Sequence, residues 1–246
     1  MRRGCAFRIS RGVATLSRKS KRVLTLGIPK LDEAFPGFQS GDFVIFVGRP
    51  LCKLLSFLLS VRGQLPRKKG GLNSRVVYID GGNAFDPYTV STIAQEYGLD
   101  PQSVLEKILV SRAFTAYQLT SLVFEKLEVA LKRYWSKLVI ISDITGLFLD
   151  RDVPQIEGRD IFLKLTQFLV DLASRRSAIV VASYVPRPYA RRDLFLDSVL
   201  LGKASVVIRF TASKDGFRFR LENHPHIEPF MVDVSNSVTM DMFVEA

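Results

Sequence analysis

The sequence predicts an α/β fold: a parallel sheet core flanked by helices, finished by antiparallel edge strands near the C-terminus. Three observations predict it. Short apolar runs alternate with helix-length segments from residue 42 to residue 182, the pattern of a sheet covered on both faces. Two Asp-Pro pairs, Asp86-Pro87 and Asp100-Pro101, open helices, with Asp as N-cap and Pro in the first turn. Lys214-Asp215-Gly216 separates two further apolar-rich runs and reads as a hairpin turn.

The elements follow in order. Asp42–Val47 (DFVIFV) reads as a buried strand and Leu51–Gln64 as an apolar helix. Arg67-Lys68-Lys69-Gly70-Gly71 reads as an exposed basic loop, and Arg75–Ile79 as the second strand. Helices start at the two Asp-Pro pairs, and Lys107–Ser111 is a strand. Ala116–Arg133 has helical amphipathic spacing; Lys137–Ser142 (KLVIIS) is again a buried strand. Glu157–Arg176 is a long helix and Ala178–Ala182 (AIVVA) the strand after it. Ser205–Thr211 and Phe217–Glu222 form the hairpin, and a last strand follows Glu228. There is no internal repeat and no low-complexity segment. Residues 1–21 are expected to be a basic arm or linker, and 22–246 a single core domain.

Bulk properties narrow the function. A chain of 246 residues with 47% apolar residues can bury a full core. No apolar run reaches membrane-spanning length, so no membrane partner and a cytoplasmic location are expected. Thirty-five Lys+Arg against 24 Asp+Glu leave a net charge of +11. Such an excess suits a polyanionic partner, most often nucleic acid, or else an Arg-rich solvated surface. Cys5, Cys52, His224 and His226 have no metal-ligand spacing, so no metal site is expected. Residues 1–31 carry nine basic residues and no acid. They read as a nucleic-acid-touching arm, a solvated terminus or an organelle transit peptide.

A phosphate-binding loop needs the pattern G-x-x-x-x-G-K-[ST] between a strand and a helix. Its backbone N–H groups cradle phosphate, its Lys neutralises it, and its hydroxyl holds magnesium. Here DFVIFV runs into Gly48-Arg49-Pro50-Leu51-Cys52-Lys53-Leu54-Leu55 and then a helix. The place is right, but counting from Gly48 puts Lys53, Leu54 and Leu55 at the Gly, Lys and hydroxyl positions. A one-residue slip aligns Lys53 with the Lys, with Cys52 and Leu54 then standing for the Gly and the hydroxyl. Two readings result: weak nucleotide binding through Lys53, or a plain strand-to-helix turn with Lys53 solvated.

Four stretches in this order carry a family resemblance: residues 22–41 (RVLTLGIPKLDEAFPGFQSG), 73–117 with its two Asp-Pro helix starts, the strand at 137–142, and Arg220–Glu228. Together the chain resembles the archaeal RadA/RadB-type recombinases of the RecA-like ATPase superfamily. The resemblance implies a RecA-like core, and it implies site residues one by one. The catalytic Glu of the family falls on Gly82, with Asp80 nearby and read as a strand-end cap. The magnesium-associated Asp falls on Ser142, with Asp143 one residue beyond and so turned to the other face unless the strand end is bulged. The phosphate-sensing Asn-Gln pair falls on Ser183-Tyr184. Altered base, lysine, hydroxyl and sensor imply a pseudo-ATPase with no catalytic residues, in which Gly48, Lys53 and Asp143 are the remnants of a degenerate nucleotide site. No cofactor is then expected, with ATP and Mg as the alternative; Leu54 and Leu55 are candidates to fill an empty pocket.

The polynucleotide side of the resemblance is better kept. The second DNA loop of the family falls on Val185-Pro186-Arg187-Pro188-Tyr189-Ala190-Arg191-Arg192. Arg187, Arg191 and Arg192 suit phosphate tracking and Tyr189 suits base stacking. Arg67, Lys68 and Lys69 offer a second cluster. In the N-terminal polymerisation motif, Val13 and Leu16 stand where the family has Phe and Ala, which disfavours self-filaments. The implied partners are DNA, single-stranded by expectation, and a RadA-type recombinase or another paralogue. The implied role is to assist homologous recombination and DNA repair. The alternatives are a slow RadB-like DNA-dependent ATPase and a purely structural or regulatory protein-binding subunit.

Overall fold

The computed structural model describes residues 23–48, 51–186, 191–214 and 216–235. The core strands are Phe43–Val47 (β3), Val76–Asp80 (β4), Ile108–Arg112 (β5), Leu138–Ser142 (β6) and Ile179–Tyr184 (β7). Residues of β3, β4, β6 and β7 are buried without interruption, as expected of Val/Ile-rich strands with helices on both faces. Before them, Val23–Leu24 (β1) and Phe38–Gln39 (β2) form a separate two-stranded ribbon around a short helix, Pro29–Ala34 (α1). After them come Val206–Ser213 (β8), Gly216–Asn223 (β9) and Phe230–Ser235 (β10).

The main sheet has eight strands in the order β10-β9-β8-β3-β7-β6-β4-β5. Pairing is parallel from β8 through β3 to β5 and antiparallel among β8, β9 and β10. The predicted fold class is therefore the observed one. Alternate side chains split the core in two. Val44 and Phe46 pack on the face covered by Leu51–Arg62 (α2) and Pro87–Glu96 (α3); Phe43, Ile45 and Val47 pack on the face of Gln155–Arg176 (α7). A chain of edge-to-face and tilted ring contacts through Phe35, Phe38, Phe46, Phe210 and Phe219 ties the lead-in to the antiparallel edge.

Local chemistry explains the helix starts. Asp86 accepts from the Tyr88 N–H at 3.0 Å and from the Thr89 hydroxyl at 2.6 Å. Asp100 caps Pro101–Leu105 (α4) by accepting from the Ser103 N–H. Thr115 accepts from the Gln118 N–H, and Gln118 Oε1 accepts from the Phe114 N–H, a reciprocal cap that opens Ala116–Ser121 (α5). Arg62, buried at the end of α2, donates to the Thr25 carbonyl at 2.8 Å and to the Tyr97 hydroxyl at 3.0 Å. A Cβ at Gly27 would lie 2.0 Å from that guanidinium, which explains the glycine.

The structure departs from the sequence expectations at three places. The helix expected over Ala116–Arg133 is broken into α5 and Glu128–Arg133 (α6) by a π-helical turn at Leu122–Leu127. The stretch after β7, expected to be loop through Arg192, becomes a helix, Arg191–Lys203 (α8). Strand bounds shift by a residue or two, most visibly in β7, which continues through Ser183 and Tyr184. Among the described residues no helix is long and apolar enough to cross a membrane.

Candidate functional site

The carboxyl ends of β3, β4, β6 and β7 lie at one pole of the sheet, where ligands of open α/β sheets bind. A cleft of about 330 Å³ opens there, lined by Gly48, Cys52, Lys53, Gly82, Ala84, Ser142, Asp143, Ser183, Tyr184 and Val185. Each loop of the resemblance contributes to it. Gly48 has φ +125°, and a Cβ there would stand 2.3 Å from the Phe210 carbonyl. The glycine thus lets β3 leave the sheet against β8.

The next helix supplies little to hold phosphate. Leu55 is buried in the core and Leu54 packs against it, so neither fills the cleft as the sequence reading had suggested. Cys52 lines the cleft as a buried thiol, pushed up to about 12 by burial, and stays protonated. Lys53 lines the cleft too, but its ammonium sits 5.7 Å from the centre of the Phe57 ring, one turn along α2.

On the β4 side, Asp80 is fully buried. It accepts from the Ala84 and Phe85 N–H groups at 3.0 and 2.9 Å and from the Ser142 hydroxyl at 2.7 Å. Arg112 lies 3.7 Å away. With its oxygens taken, Asp80 caps the strand end and holds the following loop; it is not poised as a base. Gly82, at the catalytic Glu position of the resemblance, offers no side chain to the cleft.

From the sequence, Asp143 joins the remnant site only if the strand end is bulged. Its backbone is left-handed, φ +47°, held by the Ser183 hydroxyl accepting from its N–H at 3.3 Å and by the Gly146 N–H donating to its carbonyl at 3.2 Å. This brings the residue into the cleft lining. Its carboxylate lies in space that two glycines leave open: a Cβ at Gly82 would be 3.2 Å from the Asp143 Cβ, and one at Gly146 would be 2.4 Å from its Oδ2. Asp143 therefore borders the ground that a residue-82 side chain would enter.

Ser183 and Tyr184 point to opposite sheet faces, as neighbours in a strand must. Ser183 serves the Asp143 turn. The Tyr184 phenol is pushed above its ordinary range, first by burial and then by Asp197, with Arg209 opposing. Arg209 is itself held by Glu222 at 2.7 Å across the β8–β9 hairpin. This cluster was not anticipated; its signal was an arginine inside the apolar run Val206–Phe210.

The donor set does not fit a magnesium–triphosphate held as the resemblance implies. Position 55 has no hydroxyl, position 82 no carboxylate, and among the described residues Lys53 is the only basic one lining the cleft. Among the described residues no group of three or more His, Cys, Asp or Glu is placed to hold a metal.

The expected DNA residues divide. Arg187 and Tyr189 lie outside the described residues. Arg191 and Arg192 stand in the first turn of α8 rather than in a loop. Arg67, Lys68 and Lys69 form an exposed 3₁₀ turn beyond the far end of α2, about 18 Å of helix away from the cleft. They therefore sit at the opposite pole of the sheet from α8's start and do not extend one continuous track. Val13 and Leu16 also lie outside the described residues.

Comparison with known proteins agrees with this geometry. A sequence model of the Rad51 family matches residues 17–185, the stretch that holds every cleft loop. The meiotic recombination protein DMC1 homologues of Arabidopsis thaliana and Glycine max are each 30% identical to the chain over 185 residues, 70% of its length. The match covers 51% and 50% of those proteins, so the chain spans about half the length of the curated relatives it matches. With the parallel core, the strand-end cleft and the family match all falling on the same residues, the chain belongs to the Rad51 family of RecA-like recombinases.

Proposed function

We propose that the protein is an ATPase-deficient Rad51-family paralogue that binds DNA, an active recombinase, or both, and assists homologous recombination and repair. Membership of the family supports the recombination role. The observation that carries the loss of chemistry is at the start of α2. Leu55 is in the core, Leu54 packs against it, and Lys53, the one lining cation among the described residues, rests over Phe57. Removing positioned charge at a phosphoryl-transfer site costs orders of magnitude in rate. The DNA contact is assigned to Arg187, Tyr189, Arg191 and Arg192, since the segment follows the cleft strand β7 and is rich in Arg. Single-stranded DNA is the expected form. An archaeal RadA/RadB-like affiliation remains the closest reading of the motifs.

The placement of Asp143 favours a second reading, slow hydrolysis that uses Lys53 and Asp143. DNA-stimulated ATP hydrolysis separates the two. The first reading expects turnover indistinguishable from background, unchanged in Lys53→Ala, while Arg187→Ala with Arg191→Ala weakens DNA binding and lowers its salt dependence. Hydrolysis that disappears in Lys53→Ala would establish the second.

A further inference from the structure

The pole opposite the cleft carries an aromatic and cationic platform that the cleft does not use. It is built where α6 returns to the sheet. Tyr134 closes α6, and the guanidinium groups of Arg75 and Arg133 lie 5.9 and 5.5 Å from the centre of its ring. Trp135 follows, 84% exposed and held at φ +54°. Arg75 is tied to the same turn, because its carbonyl accepts from the Ser136 hydroxyl at 2.8 Å. Lys107, also exposed, adjoins Arg75 because its carbonyl accepts from the Val76 N–H. The exposed 3₁₀ turn Arg67–Lys69 stands at the same pole.

An ordinary surface explains part of this. Cations in the last turn of a helix complement its dipole, and Lys132 and Arg133 do so. That does not explain Trp135. The largest apolar side chain is here almost wholly in water, on a left-handed backbone that Gly or Asn adopts at less cost. The backbone angle itself is that of a helix stop, with the Ser136 and Trp135 N–H groups donating to the Leu131 and Lys132 carbonyls at 3.1 and 3.4 Å; the observation that points to use is an exposed tryptophan at that stop. Glu128, the carboxylate on the same helix, is already shared by Lys132, Arg175 and Arg176; Glu106, exposed beside Lys107, accepts from the Gln102 amide at 3.0 Å, so among these residues Arg75, Arg133 and Lys107 outnumber Glu106 three to one.

We infer that this platform binds single-stranded nucleic acid, with a base stacked on Trp135 and the backbone phosphates on Arg75, Arg133 and Lys107. Exposed aromatic faces beside cations are what unpaired strands require, and a duplex keeps its bases inside. The inference rests on neither the cleft nor residues 187–192.

Trp135 is the only tryptophan of the chain, so its emission reports this contact alone. The test titrates the full chain with a thymidylate oligomer, following tryptophan emission and the anisotropy of the labelled strand together. Quenching that saturates in step with binding is expected. Trp135→Phe should keep most of the affinity and Trp135→Ala should lose about tenfold. The pair Arg75→Ser with Arg133→Ser should lower the salt slope by about 1.4. Arg187→Ala with Arg191→Ala should leave the quench amplitude intact. Binding without quenching would overturn the platform while leaving the 187–192 reading standing. Equal quenching by duplex would also overturn it, as would no binding. Emission that shifts with protein concentration alone would instead make the platform a contact between copies of the chain.

Discussion

The two poles of the sheet have been treated differently. At the cleft pole, polar groups are turned inward and satisfied: Asp80 by two backbone N–H groups and Ser142, Ser183 by the Asp143 turn, Arg209 by Glu222. At the far pole, Arg67–Lys69, Arg75, Lys107 and Arg133 face solvent beside an exposed tryptophan. Among the described residues, the polar groups at the ligand-binding end of the fold are internally held, and a cluster of exposed cations stands at the other end. A fold therefore shows where chemistry would be done; only the side chains show whether the means remain.

The largest way to break the contrast is Asp80→Ala. It would leave the Ala84 and Phe85 N–H groups and the Ser142 hydroxyl unpaired beside a buried site. A loss of about 3–5 kcal/mol is expected in urea unfolding; a loss below about 1 kcal/mol would mean the cleft pole is not internally held. Gly82→Glu comes next. Its Cβ would press on the Asp143 Cβ at 3.2 Å, for a cost of about 1–2 kcal/mol. Adding Asp143→Gly should restore most of it, and simple additivity of the two changes would show that the positions do not compete.

Three smaller effects sharpen the comparison. Asp86 is held below the ordinary carboxylate range, chiefly by the Thr89 hydroxyl. Its stabilisation is therefore complete above about pH 4 and lost as pH falls through its lower folded value. Asp86→Asn should keep the cap and remove that pH dependence, whereas Asp86→Ala should cost about 1 kcal/mol at neutral pH; both are read from unfolding midpoints between pH 7 and 2.5. At the far pole, Trp135→Gly should relieve the left-handed backbone and raise stability by up to about 1 kcal/mol. Smallest of all, Lys53→Ala should change stability by less than about 0.5 kcal/mol.

The sheet was legible in the sequence because runs such as Val76–Asp80, Leu138–Ser142 and Ile179–Tyr184 are buried on both faces and so are apolar up to the polar residues at their carboxyl ends. Helix starts were legible where a cap residue and a proline coincide. α8 was not: its buried residues include Leu196 and Leu200, one turn apart among partly exposed residues, and the preceding Arg-Pro segment read as continuing loop. The π turn at Leu122–Leu127 has no mark in residue type. For Asp143, strand parity left two outcomes open, and one left-handed residue, which residue type does not announce, decides between them. Trp135 went unremarked because tryptophan is usually taken for core; only its exposure reveals it.

The most direct test of the account is a fluorescence-anisotropy titration of labelled single-stranded DNA at several salt concentrations, with and without ATP and magnesium. Salt-dependent binding with the same affinity in both conditions is the predicted result. Binding that appears only with ATP and magnesium would contradict it, and would mean that the cleft still works as a nucleotide site.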